Sequence, residues 1–163
     1  MDINLISKNE NDTKQIATLI VSNIFKGALI TLKGDLGAGK TTFTKGIGEA
    51  LGIKEEINSP TFNILKCYFH SPMNLYHIDA YRLEDVPSEN KNIGLEEVIE
   101  DPLGITVIEW PMFISELFDE NKALNIEILI NKEDTSRQFH IESKNEKFKN
   151  VFEVLKNEYV NSW

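Results

Sequence analysis

Cysteine is nearly absent. Cys67 stands alone in 163 residues, so the chain holds no intramolecular disulfide and no cysteine-built metal site. It lies in an apolar–polar alternation, where a buried and inert thiol is expected. Arginine is almost as scarce, with only Arg82 and Arg137. That is thin support for an arginine-rich lid clamping a transferred phosphate. Positive charge is short overall: 17 Lys and Arg against 26 Asp and Glu, a formal net charge of −9. A broad surface for DNA or RNA needs a basic patch, so DNA is not an expected partner and tRNA is expected only indirectly. No apolar run approaches the ~18 residues of a membrane span. The first residues, MDINLISKNEND, have no basic stretch leading into an apolar one. A cytoplasmic protein without membrane contact is the expectation. Internal repeats and low-complexity tracts are also missing, and the length suits one domain over residues 1–163.

Against these absences stands one dense stretch. Gly34-Asp35-Leu36-Gly37-Ala38-Gly39-Lys40-Thr41 is a full match to G-x-x-x-x-G-K-[ST]. At ordinary residue usage, chance gives such a match in roughly one chain of this length in two hundred. The context narrows it further. A β-rich run, Leu29 to Leu32, leads in, and Phe43, Ile47 and Leu51 follow at helical spacing. Glycines let successive backbone N–H groups turn inward around an anion, and the helix N-terminus adds unpaired donors. In such a loop Lys40 reaches the β- and γ-phosphates and the Thr41 hydroxyl ligates Mg²⁺. A plain glycine-rich turn would need neither the third glycine nor Lys-Thr.

Around this loop the pattern alternates between helix and strand. Residues 13–25 place Ile16, Leu19, Ile20 and Ile24 on one helical face, with Asp12 or Thr13 as cap. Gly52 stops the helix behind the loop. Pro60 holds Ser59 extended. Residues 62–69 and 75–78 read as two strands around a turn at 71–74, a possible hairpin, and 84–94 as a polar surface loop. A short helix is expected over 95–100, a buried strand over 105–108 and a short helix over 112–118. Runs 124–130 and 138–142 read as an antiparallel hairpin, and Phe148, Val151, Phe152, Leu155 and Tyr159 as the apolar face of a last helix. The sum is an α/β fold: a P-loop NTPase-like three-layer sandwich whose mixed sheet is partly parallel.

Ligands of such sheets sit at the carboxyl ends of the strands. Two acids fall there: Asp79 after LYHI and Glu109 after ITVI. Hydrolysis needs an acid to hold metal and a group to orient water, and either acid suits either task. Thr61, in the loop fixed by Pro60, suits a hydroxyl that senses the γ-phosphate through Mg²⁺. His77 alternates with Asp79 and reads as a packed or partly exposed side chain. Trp110 is core or a lid. Asn131-Lys132-Glu133-Asp134 spells the guanine-reading N-K-x-D, but no D-x-x-G accompanies it: Asp79 is followed by Ala80-Tyr81-Arg82. It reads as a hairpin turn. On residues alone, an ATPase switch, a small-molecule kinase and a GTP-binding module all remain open.

Four segments in this order resemble the TsaE family: Gly34 to Thr42 (GDLGAGKTT), Ser59-Pro60-Thr61-Phe62, His77-Ile78-Asp79-Ala80-Tyr81-Arg82-Leu83 and Val107-Ile108-Glu109-Trp110-Pro111. Ile78-Asp79-Ala80 departs from the usual Phe-Asp-Leu but stays apolar around the acid. The resemblance implies a bacterial ATPase of tRNA threonylcarbamoyladenosine synthesis, with ATP and Mg²⁺ as cofactors. It implies that Gly37, Ala38, Gly39, Lys40, Thr41 and Thr42 hold the phosphates and that Thr41 and Glu109 ligate Mg²⁺. Thr61 would be a switch residue, Asp79 would position water and Trp110 would shape the site. Glu10, Thr13, Arg137 and Gln138 would border the nucleotide. The implied partner is a TsaB–TsaD complex, in which TsaD transfers threonylcarbamate to the tRNA and ATP hydrolysis resets the machinery between turnovers.

Overall fold

The structure is a computed structural model and describes residues 1–60, 63–70 and 72–159. Seven strands alternate with five helices among the described residues: β1 (Asp2–Ser7), α1 (Glu10–Val21), β2 (Leu29–Lys33), α2 (Lys40–Leu51), β3 (Leu65–Tyr68), β4 (Asn74–Asp79), α3 (Ser88–Lys91), α4 (Leu95–Ile99), β5 (Gly104–Glu109), β6 (Leu124–Ile130), β7 (Arg137–Glu142) and α5 (Lys149–Glu158). Short 3₁₀ turns include one over Pro111–Leu117, where the short helix of 112–118 is expected.

The strands form one sheet in the order β1-β7-β6-β2-β5-β4-β3. Its centre, β6-β2-β5-β4, is parallel, and both flanks are antiparallel. The centre is where the sequence is most continuously apolar. LITLK and GITVIE are buried along nearly their whole length, as strands covered on both faces must be. The outer β6, LNIEILI, alternates instead. One core cluster, with Ile16, Ile20, Phe43, Ile47, Val107 and Leu155, joins the sheet to α1, α2 and α5. A second, with Ile78, Leu83, Leu95, Ile108 and Ile114, fills the opposite face beneath α4 and the 3₁₀ turn after β5. Two covered faces make the three layers expected from the sequence.

α2 packs closely on α1 because of Gly46. A Cβ there would lie 2.9 Å from the Ala17 Cβ, so the glycine lets the two backbones approach. Lys14 and Glu49 tie the same pair at 3.0 Å.

Several boundaries differ from expectation. β1 is a strand that the pattern does not announce. Its polar residues weaken the local signal, and its pairing comes from β7 at the far end of the chain, with Leu5 opposite Phe139. α1 begins at Glu10 under Asn9, not at Asp12 or Thr13. Asn9 accepts from the Asp12 N–H, and Asp12 accepts from the Lys8 N–H, each at 2.9 Å. The hairpin of β3 and β4 is present, with β3 shorter than 62–69; Phe62, like Ser71 of the turn, lies outside the described residues. The polar loop of 84–94 holds the single turn of α3. Cys67 is half-buried, not buried, and burial pushes its thiol upward, which keeps the reactive thiolate scarce.

Candidate active site

The loop from Gly34 to Gly39 leaves β2 and enters α2 at Lys40. Gly37 and Gly39 have φ of 81° and 108°, left-handed values that side chains with a Cβ avoid. A Cβ at either would meet nothing within 4 Å. Conformation alone therefore demands glycine here, and the loop backbone borders open space. Gly39 caps α2 without any side-chain hydrogen bond, so the first N–H groups of the helix keep their capacity for an anion. Thr41 and Thr42 stand in that first turn, both half-buried.

Lys40 is folded back on the loop and is only 6% exposed. Its Nζ donates to the Gly34 carbonyl at 2.5 Å and the Asp35 carbonyl at 3.1 Å. It also lies 4.8 Å from the centroid of the Trp110 ring, a cation–π distance. Burial pulls its pKa below the usual lysine range, against the attraction of Glu109, Asp79 and Asp35. Trp110 is half-buried, with φ of 56°, and stacks on Phe113 at 5.8 Å and 3°. Its ring lies over the Lys40 ammonium and also packs against the second core cluster, so it belongs to the edge of the core as well as covering the lysine.

The two acids meet at the ends of neighbouring parallel strands, with Asp79 opposite Glu109 in register. Asp79 accepts from the Ser59 hydroxyl at 3.0 Å and the Tyr81 N–H at 3.1 Å. Glu109 is 3% exposed, and its Oε2 lies 2.5 Å from Nε2 of His77, itself fully buried. Apart from the alternation of His77 with Asp79, nothing in the local pattern points to this pair. Thr61 lies outside the described residues.

A cleft of about 480 Å³ opens beside the loop. Glu10, Thr13, Gly37, Gly39, Thr42 and Arg137 line it, which brings the start of α1 to the glycine-rich loop. Arg137 closes one wall, donating from Nε to the Ala38 carbonyl at 3.0 Å and from Nη2 to the Gly37 carbonyl at 3.3 Å. Gln138 is the exception. Strand alternation turns it to the other face, with His140 and away from buried Phe139, and it does not line the cleft. Asn131 and Asp134 are used in the turn between β6 and β7. Asn131 accepts from the Glu133 N–H at 3.0 Å, and Asp134 accepts from the Ser136 N–H at 3.0 Å and hydroxyl at 2.7 Å. That is the hairpin turn expected.

Comparison with known proteins points the same way. Residues 7–139 match the family described as threonylcarbamoyl adenosine biosynthesis protein TsaE. The tRNA threonylcarbamoyladenosine biosynthesis protein TsaE of Bacillus subtilis is 45% identical over 114 residues, 70% of this chain and 70% of its own length. That of Treponema pallidum is 38% identical over 125 residues, 76% of this chain and 90% of its own. The crystal structure of Bacillus subtilis YdiB is similar with a TM-score of 0.79 and 32% identity, across 96% of this chain and 95% of that one. With the family matched over residues 7–139 and relatives at 38% and 45% identity, the chain belongs to the TsaE family.

Proposed function

We propose that this protein is a Mg²⁺-dependent ATPase of the cytoplasm, acting as one domain. It supports tRNA threonylcarbamoyladenosine formation by binding and resetting a TsaB–TsaD-like complex, and it meets tRNA only through that complex. The observation that carries the reading is the meeting of Lys40, Asp79 and Glu109 beside an open phosphate loop.

The residues present fit Mg·ATP. The start of α2 has uncapped donors for phosphate oxygens. Thr41 and Glu109 offer the hard oxygen ligands that Mg²⁺ prefers. Among the described residues no cluster of three or more His, Cys, Asp or Glu forms a metal cage. Mg²⁺ in phosphate sites commonly takes one or two protein oxygens, with phosphates and water completing its shell. When bound, it supplies charge neutralisation at the phosphates.

The backbone N–H groups of residue 37 and residues 39–42 bind and orient the phosphates, while Ala38, whose N–H donates to the Asp35 carbonyl at 3.0 Å, holds the turn that presents them. Lys40 exchanges the Gly34 and Asp35 carbonyls for the β- and γ-phosphates. Asp79, fixed by Ser59 and Tyr81, orients the attacking water. Trp110 excludes bulk water from above Lys40. Arg137 is held on loop carbonyls and so does not act as an arginine finger from where it lies. A P-loop enzyme without a finger is slow, and one supplied by a partner raises the rate roughly 10³–10⁵-fold.

The test is a reconstituted modification reaction with a TsaB–TsaD-like complex. Wild type is expected to allow repeated turnovers and Lys40→Ala to stall them after the first. Equal cycling without this protein would overturn the proposal.

A further inference from the structure

His77 has no task in the scheme above, yet its burial is complete. Nε2 lies 2.5 Å from Glu109 Oε2. Nδ1 is buried too and has no hydrogen-bond partner among the described residues. A side chain kept only for packing would be better served by leucine or phenylalanine, which strand no polar atom. The register accounts for the reach. His77 lies opposite Val107, two positions before the Asp79–Glu109 pair, and alternation puts His77, Val107, Asp79 and Glu109 on one face. That is the face covered by α2, the helix behind the phosphate loop. The imidazole therefore supports the carboxylate from the core side, beneath the strand ends.

A carboxylate that receives a cation is ionised and only accepts hydrogen bonds, so in the metal-binding state Nε2 is the donor of this contact. The bond takes up one lone pair of Oε2 and leaves the remaining lone pairs of the carboxylate, those of Oε1 among them, for a ligand. We infer that His77 is a positioning residue: by donating Nε2–H to Oε2, it fixes the Glu109 carboxylate in the orientation that receives the divalent cation accompanying the nucleotide. This rests on the reading of Glu109 as a Mg²⁺ ligand. The stranded Nδ1 is then the cost of a donor that no aliphatic side chain supplies. Partners of this kind commonly govern metal affinity about 10- to 100-fold.

The experiment measures Mg²⁺ affinity by calorimetry on the full chain saturated with a non-hydrolysable ATP analogue, so turnover does not enter. His77→Leu is expected to bind Mg²⁺ about 10- to 100-fold more weakly, with unchanged affinity for the analogue in the absence of metal. His77→Gln carries an amide N–H near the place of Nε2 and is expected to recover most of the loss. Wild-type Mg²⁺ affinity in His77→Leu, with Glu109→Gln impaired, would overturn the role of His77 and leave that of Glu109 standing. A glutamine variant as weak as the leucine one would overturn it as well. Wild-type affinity in Glu109→Gln would remove the metal reading and the inference together. Nitrogen NMR of the His77 ring in the unaltered protein needs no variant. Nε2 is expected to carry a proton, and a ring protonated on Nδ1 alone would contradict the inference.

Discussion

Arg137 lies 99 positions beyond Ala38, yet its Nε donates to the Ala38 carbonyl at 3.0 Å. The same guanidinium reaches the Gly37 carbonyl and, on the hairpin side, the carbonyl of Thr135. One side chain thus ties the turn between β6 and β7 to the phosphate loop. Arg137→Ala is expected to loosen the loop, lowering stability by about 1–2 kcal/mol for the lost charge-assisted bonds and weakening ATP binding. Arg137→Lys should not restore either, because one ammonium cannot span carbonyls that the fork reaches together. Thermal melts and nucleotide calorimetry check both.

Lys40→Ala is expected to abolish hydrolysis and to weaken ATP binding strongly. The fold should survive. The side chain lies on the loop and under Trp110, so a modest loss of stability is expected with the loss of its two carbonyl bonds. Unchanged ATP turnover would overturn the assignment of the loop.

The two acids separate by their partners. Glu109→Gln should raise the Mg²⁺ concentration needed for activity. Asp79→Asn should retain Mg·ATP binding and lose hydrolysis, since the role proposed for Asp79, a carboxylate held by Ser59 and the Tyr81 N–H, is to orient water. Calorimetry and phosphate release are compared for both variants. Wild-type rates in both would place the chemistry elsewhere.

Nucleotide choice tests the N-K-x-D string. Asp134 Oδ1 is engaged with Ser136 and Asn131 Oδ1 with Glu133, which commits both side chains to holding the hairpin turn. ATP should be hydrolysed at least as well as GTP, and Asp134→Ala should leave that preference unchanged. A guanine preference abolished by the substitution would restore the GTP-binding reading.

Tyr76 and Asp101 give a pH dependence remote from the site. The Tyr76 hydroxyl donates to the Asp101 carboxylate. This bond, first among its causes, holds Asp101 below its ordinary 3.8. Burial first, and then the same bond, pushes Tyr76 above its ordinary 10.0. A lowered carboxylate adds stability that is complete above 3.8 and fades as pH falls through the lowered value. A raised phenol adds stability that is complete below 10.0 and fades as pH rises through the raised one. Tyr76→Phe should flatten both limbs of a stability–pH curve. Limbs that remain as steep in the variant would contradict this.

Much of this was legible in the chain, and for physical reasons. A buried parallel strand must be apolar along its length, so β2 and β5 declared themselves, and with them the acids at the ends of β4 and β5. The turn from β2 into α2 was legible because its left-handed backbone demands glycine at 37 and 39. The rest depends on distant partners. β1 owes its extension to β7. The pairing of His77 with Glu109 and the grip of Arg137 on Ala38 follow from strand register, which local spacing does not encode. Gln138 illustrates the reverse. It is adjacent to Arg137 in sequence, but a strand turns neighbours to opposite faces.

The most direct measurement is the ATP turnover of the full chain with and without a TsaB–TsaD-like complex, at fixed Mg²⁺ and physiological salt. The expected result is feeble hydrolysis by the chain alone, a marked rise on adding the complex, and no rise with Lys40→Ala. A rate that no such partner changes would contradict the proposal that this protein is a partner-stimulated ATPase.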